Sequence, residues 1–349
     1  MIDLDMEELE TFVGNYDSTD GTEATWLADA LFVYENGGNG KCTQADVDDT
    51  ANGHCTAVGG AKGNSLKSAP TIRTIKGFAT KDYSSDKLTG VSDNGWYNEP
   101  LPKLYKAYWK AQGWTDAQAN VWADTFITKD YSAISKDSGT NQLIKKGANY
   151  QAVWMYVLHE LEDAIGDCYS GDILANDQTP TGGAPHAWDE GWAFYAGSQV
   201  AATAVGAVTD DGTLIWELSE KRADDFGTDD TSGPASVNVQ LLAKFIEGRD
   251  KIIAADCAGA EPLVEDIRKL MTVPLVQGTL KYAFKADPAN SAGDCTADAS
   301  NTAMTAADGC VKSWSEGWAF AAAVLPQVYN CDQTALARAE PNFRPPRMT

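Results

Sequence analysis

The pentapeptide EGWAF occurs twice, at 190–194 and 316–320, each time inside a longer echo: DEGWAFYAGSQV (189–200) against SEGWAFAAAVLPQV (315–328). Upstream, QAVWMYVLH (151–159) is echoed more weakly by QGTLKYAFK (277–285). Both echoes share one offset, since 316 − 190 = 126 and 282 − 156 = 126. A common offset in two separate segments restricts the chain to architectures with two related halves. The compositions TDDGT and FGTDDTSGP supply linker-like sequence near 210–235, so we expect the halves to run over 1–225 and 226–349.

Apolar residues recur at helical rather than alternating spacing. LPKLYKAYWKAQG (101–113) carries Pro102 near a first turn and closes on Gly113, both helix-boundary signals. In WTDAQANVWADTFIT, Thr115 with Gln118 has the spacing of a capping box. The run 141–166 aligns Val153, Val157, Leu158, Leu161 and Ile165 on a buried stripe and is expected to end at Gly166. After a Gly/Pro/Asp-rich loop, a helix is expected over about 186–206, and others over 214–223, 236–257, 261–286 and 314–329. Strand patterns are scarce. The expected fold is mostly α, two related helical bundles with disulfide-clipped loops.

The cysteines carry the second half of that expectation. Seven are present, none in CxxC spacing, which disfavours zinc ribbons and thioredoxin-type redox pairs. Cys42 and Cys55 bracket one polar loop, and Cys295 and Cys310 another. Loops that bury little apolar surface gain most from a covalent clip, so both pairs read as disulfides and imply an oxidising compartment. Pairing among Cys168, Cys257 and Cys331 stays open, with one thiol left over. The opening MIDLDMEELE lacks the basic-then-apolar pattern of a secretory leader, as would a mature form given a new initiating Met. The expected location is secreted, periplasmic or cell-surface.

Chemistry concentrates where histidine is scarce. The chain holds 27 basic and 50 acidic residues, a net charge of −23, and three histidines. Such a charge repels nucleic acid and anionic membranes and favours cations as partners. No stretch approaches the ~18 apolar residues of a membrane span. Two histidines sit in matching settings: His159 with Glu162 and Asp163 (HELED), and His186 with Asp189 and Glu190 (HAWDE). Residues three and four apart share a helix face, so each motif offers one imidazole and two carboxylates together. A helical hairpin across 167–185 would bring the two clusters face to face. Mixed nitrogen and carboxylate ligation suits iron, manganese or zinc better than calcium. The same histidines beside acids also have a plain reading as surface ion pairs. In the second half, His159 falls on Lys285, His186 on Lys312 and Asp189 on Ser315, while Glu190 is kept as Glu316. A protonated lysine is a poor metal ligand, so a Lys–Glu pair is expected to replace the metal there.

Other motifs are weaker. YENGGNG (34–40) lacks the Lys-Ser/Thr of a P-loop and the spacing of a dinucleotide fingerprint and reads as a tight turn, although Tyr34 and Glu35 are within conceivable reach of a metal. His54 falls in the Cys42–Cys55 loop and is expected to be exposed. Without GxSxG or HExxH, a serine hydrolase or zincin is disfavoured.

YENGGN, HELED and HAWDEGWAFY with its SEGWAF echo together resemble the low-iron-inducible periplasmic proteins of algae, over roughly residues 20–335. That resemblance implies a secreted protein that binds iron in support of its uptake, with a membrane uptake system as a candidate partner, rather than established catalysis. A weaker likeness is to imelysin-type helical proteins: His159 and Glu162 fit the GxHxxE pattern, but Val157 stands at its glycine. The expected site is iron, with manganese or zinc as alternatives, held by His159, Glu162, His186 and Glu190, with Asp163 and Asp189 as further ligands or orienting partners. The alternatives are a metal-dependent enzyme using the same residues for carbon dioxide hydration or hydrolysis, and a non-catalytic cell-surface protein.

Overall fold

Two helical hairpins organise the molecule. The computed structural model describes residues 2–14, 23–37, 73–81, 100–129, 137–173, 183–197, 214–231, 233–290, 295, 308–332, 334 and 336. Its helices are α1 (Ile2–Gly14), α2 (Glu23–Asn36), α3 (Ile75–Ala79), α4 (Pro100–Ala111), α5 (Asp116–Asn120), α6 (Trp122–Ile127), α7 (Asp137–Gly147), α8 (Trp154–Ser170), α9 (Ala184–Ala196), α10 (Ile215–Phe226), α11 (Ser236–Ile253), α12 (Cys257–Ala286) and α13 (Asp308–Cys331). A π-helical turn, Ala148–Val153, joins α7 to α8. Among the described residues there is no strand, only an isolated bridge between Asp229 and Ala235.

Local chemistry sets the helix ends. The Thr115–Gln118 capping box is present at the start of α5. Gly166 does not end α8 as expected; it is buried inside the helix. Termination falls to Gly171, which adopts φ 84 and returns its N–H toward the last turn, a left-handed conformation that a β-carbon penalises. Similarly, α9 closes at Gly197 with φ 81; the expected extension to 206 lies outside the described residues.

Two prolines sit deep inside long helices, Pro274 in α12 and Pro326 in α13. Proline removes one N–H and loosens the preceding carbonyls. In each case an aromatic donor reaches the carbonyl three residues back: Trp154 Nε1 donates to Met271 O at 3.2 Å, and the Tyr105 hydroxyl donates to Ala323 O. These bonds also lock neighbouring helices to the proline sites.

Hairpin α8–α9 is antiparallel, with Ala184 N bonding Asp172 O at 3.0 Å where the chain turns. Its helices close on Gly191, where a β-carbon would lie 2.9 Å from Leu161 Cδ2. Hairpin α12–α13 is antiparallel too: Gly317 meets Tyr282, and the Phe320 ring covers Gly278. A single core carries Trp154, Trp188, Tyr105 and Phe320, all fully buried. Trp188 lies on Gly248 of α11 and donates to Phe245 O at 2.8 Å.

The structure decides the cysteines. Cys295–Cys310 is a disulfide as expected, Cys168 pairs with Cys257, and Cys331 is an exposed free thiol. Cys42, Cys55 and His54 lie outside the described residues.

Candidate functional site

On a helix each residue turns the side chain by about 100°. Val157 and Leu161 face Gly191 of α9, so the flank next to that seam belongs to Glu160 and Tyr156. His159 is one step round from Glu160, and Glu162 lies on the opposite side of α8 from it. The face-to-face meeting of both histidine clusters is therefore not what the hairpin produces. What meets α9 is Glu160, the one acid of HELED that does not share a face with His159.

Glu160 is buried, with its side chain 4% exposed, and Glu190 of α9 comes beside it. Arg73, just ahead of α3, spans the two carboxylates: Nη1 lies 3.3 Å from Glu160 Oε1 and Nη2 2.8 Å from Glu190 Oε2. His186 Nε2 stands 3.3 Å from the other oxygen of Glu190, one helical turn earlier on α9. Tyr156 donates a hydrogen bond to Glu160. Burial, reinforced by the charge of Glu190 and opposed by Arg73, pushes the Glu160 carboxyl up to about 8. Burial followed by the charge of Glu160 raises Tyr156 well above the usual phenol range.

The residues just after Arg73 hold it in place. Thr74 caps α3 by accepting from Gly77 N at 3.0 Å. Phe78 then stacks on Tyr156 at 3.7 Å between centroids and meets Phe194 edge-on at 5.0 Å. The guanidinium itself lies over Phe194 and Tyr156, at 5.4 and 5.8 Å. No periodicity or motif in the 66–80 stretch marks Arg73 beforehand. Glu160 was missed by the spacing argument, although its place beside the Val157–Leu161 stripe is a signal that could have found it.

The remaining sequence candidates separate. His159 and Glu162 are both buried, and the His159 ring sits 5.2 Å from that of Tyr156, one layer behind Glu160. Asp163 is half-buried, one turn along α8 from Glu160. Asp189 turns to α11 and pairs with Arg249 at 3.1 Å. Tyr34 and Glu35 are engaged elsewhere: the Tyr34 hydroxyl donates to Asp124 at 2.7 Å, and Glu35 accepts from Lys76 at 2.7 Å. As they stand, no three His, Cys, Asp or Glu side chains among the described residues form a ready metal cage. At the Glu160–Glu190 pair, the place between the carboxylates holds a guanidinium.

The second EGWAF forms a related but different cluster. Glu316 is buried, accepts a hydrogen bond from Tyr282 and has Lys146 Nζ at 3.8 Å. Lys146 lies over Phe320 at 5.5 Å, as Arg73 does over Phe194. Lys285 stands 5.8 Å from the Tyr282 ring, in the place His159 has beside Tyr156. The residue 126 positions after Glu160 is Ala286, so this cluster has one carboxylate where the first has two.

No helix among the described residues is long and apolar enough to cross a membrane. No curated protein and no solved structure matches the chain. The family model of low iron-inducible periplasmic proteins matches residues 103–308, a span that takes in Glu160, His186, Glu190 and the first EGWAF segment. With more than half of its length matched, the chain belongs to the low iron-inducible periplasmic protein family.

Proposed function

We propose that this protein binds iron outside the cytoplasm in support of iron assimilation, and that the metal is taken as cargo between α8 and α9 by Glu160, His186 and Glu190. The observation that carries this reading is the imbalance at that point: two carboxylates, one deeply buried, converge beside an imidazole with a single guanidinium between them. Carboxylate oxygen with imidazole nitrogen is a donor set suited to iron. The family description supports the iron and the location, and the net charge of −23 draws cations toward the surface. Asp163 flanks the pair from the next turn of α8. His159 and Glu162 act behind it, His159 by fixing the Tyr156 ring that bonds Glu160.

The test is iron content by mass spectrometry after loading and gel filtration. Wild type should retain about one iron per chain. His186→Ala/Glu190→Gln should lose it, His159→Ala should retain it with weakened affinity, and Asp189→Asn should match wild type. Wild-type protein that retains no iron sinks the reading, and equal retention by His186→Ala/Glu190→Gln moves the metal elsewhere.

A further inference from the structure

We propose that Arg73 is the site's resident counter-cation, which an incoming metal displaces, and that it thereby restricts the site to multivalent cations. The inference rests on the iron-binding reading above and adds a mechanism of selection to it.

Arg73 lies where a bound metal would have to lie. Its two terminal nitrogens contact one oxygen each of Glu160 and Glu190, at 3.3 and 2.8 Å, so guanidinium and metal cannot share the carboxylates. It is also free to leave. The side chain is 41% exposed, and its backbone is secured independently by the Thr74 cap and the docking of Phe78. Swinging the guanidinium into solvent needs only side-chain torsions. The corresponding cation at Glu316, Lys146, is 13% exposed and offers no such exit.

Charge then decides which cations succeed. A monovalent ion that replaces a guanidinium gains no net attraction to the carboxylates and forfeits the directed N–H···O bond to Glu190 along with the ion pair to Glu160. A divalent ion adds one unit of charge facing both carboxylates, and a trivalent ion adds two. Arg73 therefore sets a threshold that rises above monovalent ions and favours the highest charge.

Two measurements test this. Isothermal titration with Mn2+ and with Ga3+ (added as its nitrilotriacetate complex) would compare wild type, Arg73→Ala and Arg73→Lys. We expect Arg73→Ala to tighten Mn2+ at least tenfold and to narrow the Ga3+/Mn2+ preference, with Arg73→Lys close to wild type. Independently of any variant, phenylglyoxal labelling of Arg73 in wild-type protein, read by peptide mass spectrometry, should rise on metal binding. Unchanged or weaker Mn2+ binding in Arg73→Ala, or a fall in Arg73 labelling with metal, overturns the displacement while leaving iron binding intact. Failure of wild type and both variants to bind either metal overturns the iron-binding reading itself.

Discussion

The two EGWAF hairpins use the same parts to opposite electrostatic ends. In each, a glycine brings two helices together, a tyrosine donates to a buried glutamate, and a cation from outside the hairpin lies over the phenylalanine. In α12–α13 the one glutamate, Glu316, faces the ammonium of Lys146. In α8–α9 Glu160 adds a second carboxylate, and one guanidinium serves both. The α12–α13 cluster sets an ammonium against its one glutamate; the α8–α9 cluster holds a second acid, which keeps its proton up to about 8, next to Glu190 and a histidine. A single position, Glu160 against Ala286, makes that difference.

Covalent ties differ as well, and breaking them gives the largest effects. Cys168–Cys257 fastens the end of α8 to the start of α12 across 89 residues, whereas Cys295–Cys310 ties Cys295 to the start of α13 across 15. Loop-closure entropy puts the first at about 4.6 kcal/mol and the second at about 3. Cys168→Ala/Cys257→Ala should therefore lower the denaturation midpoint more than Cys295→Ala/Cys310→Ala. The reverse order would show that the α12–α13 hairpin, not the tie between hairpins, limits stability.

Glutamate removal tests the comparison directly. Glu316→Gln strands Lys146 in a largely buried place, at a cost of about 2–4 kcal/mol that persists across neutral pH. Glu160→Gln should do the opposite at alkaline pH. The folded chain holds the Glu160 proton up to about 8, whereas an unfolded one releases it near 4.5. The folded state binds more protons in that window, so wild-type stability falls as pH rises through it. Glu160→Gln escapes the loss: it should match wild type near pH 4 and exceed it by several kcal/mol at pH 9. Parallel pH profiles for Glu160→Gln and wild type, measured by urea denaturation without metal, would remove the electrostatic asymmetry between the hairpins.

The helices were legible in the sequence, and so was half of the site. Helical periodicity, the Thr115–Gln118 box and the shared offset of 126 all depend on neighbours along the chain, and such signals survive in a single sequence. His186 and Glu190 were legible for the same reason. Arg73 was not, because its role comes from docking of α3, through Phe78, onto a helix more than 70 residues away. Gly166 misled because a glycine within a helix and one that ends it look alike until packing is known; Gly171, five residues on, has the left-handed backbone. Pro274 and Pro326 sit within continuous helices, and the donors that reach the carbonyls three residues before them, from Trp154 and Tyr105, are distant in sequence.

The smallest effect separates two neighbours that spacing had grouped. Asp189 and Glu190 adjoin in HAWDE, but a helix turns them about 100° apart. Glu190 meets Arg73 and His186, while Asp189 meets Arg249 across a gap in which both side chains are about half exposed. Exposed pairs of this kind contribute about 0.5 kcal/mol and are screened by salt. Asp189→Asn should therefore shift the denaturation midpoint barely beyond error, and less still in high salt, with iron retention unchanged. Glu190→Gln should leave stability within about 1 kcal/mol yet abolish retention. If Asp189→Asn instead loses iron, the metal lies on the α11 side of α9, and the asymmetry between the two hairpins would have to be sought in Asp189 and its counterpart Ser315 rather than in Glu160 and Ala286.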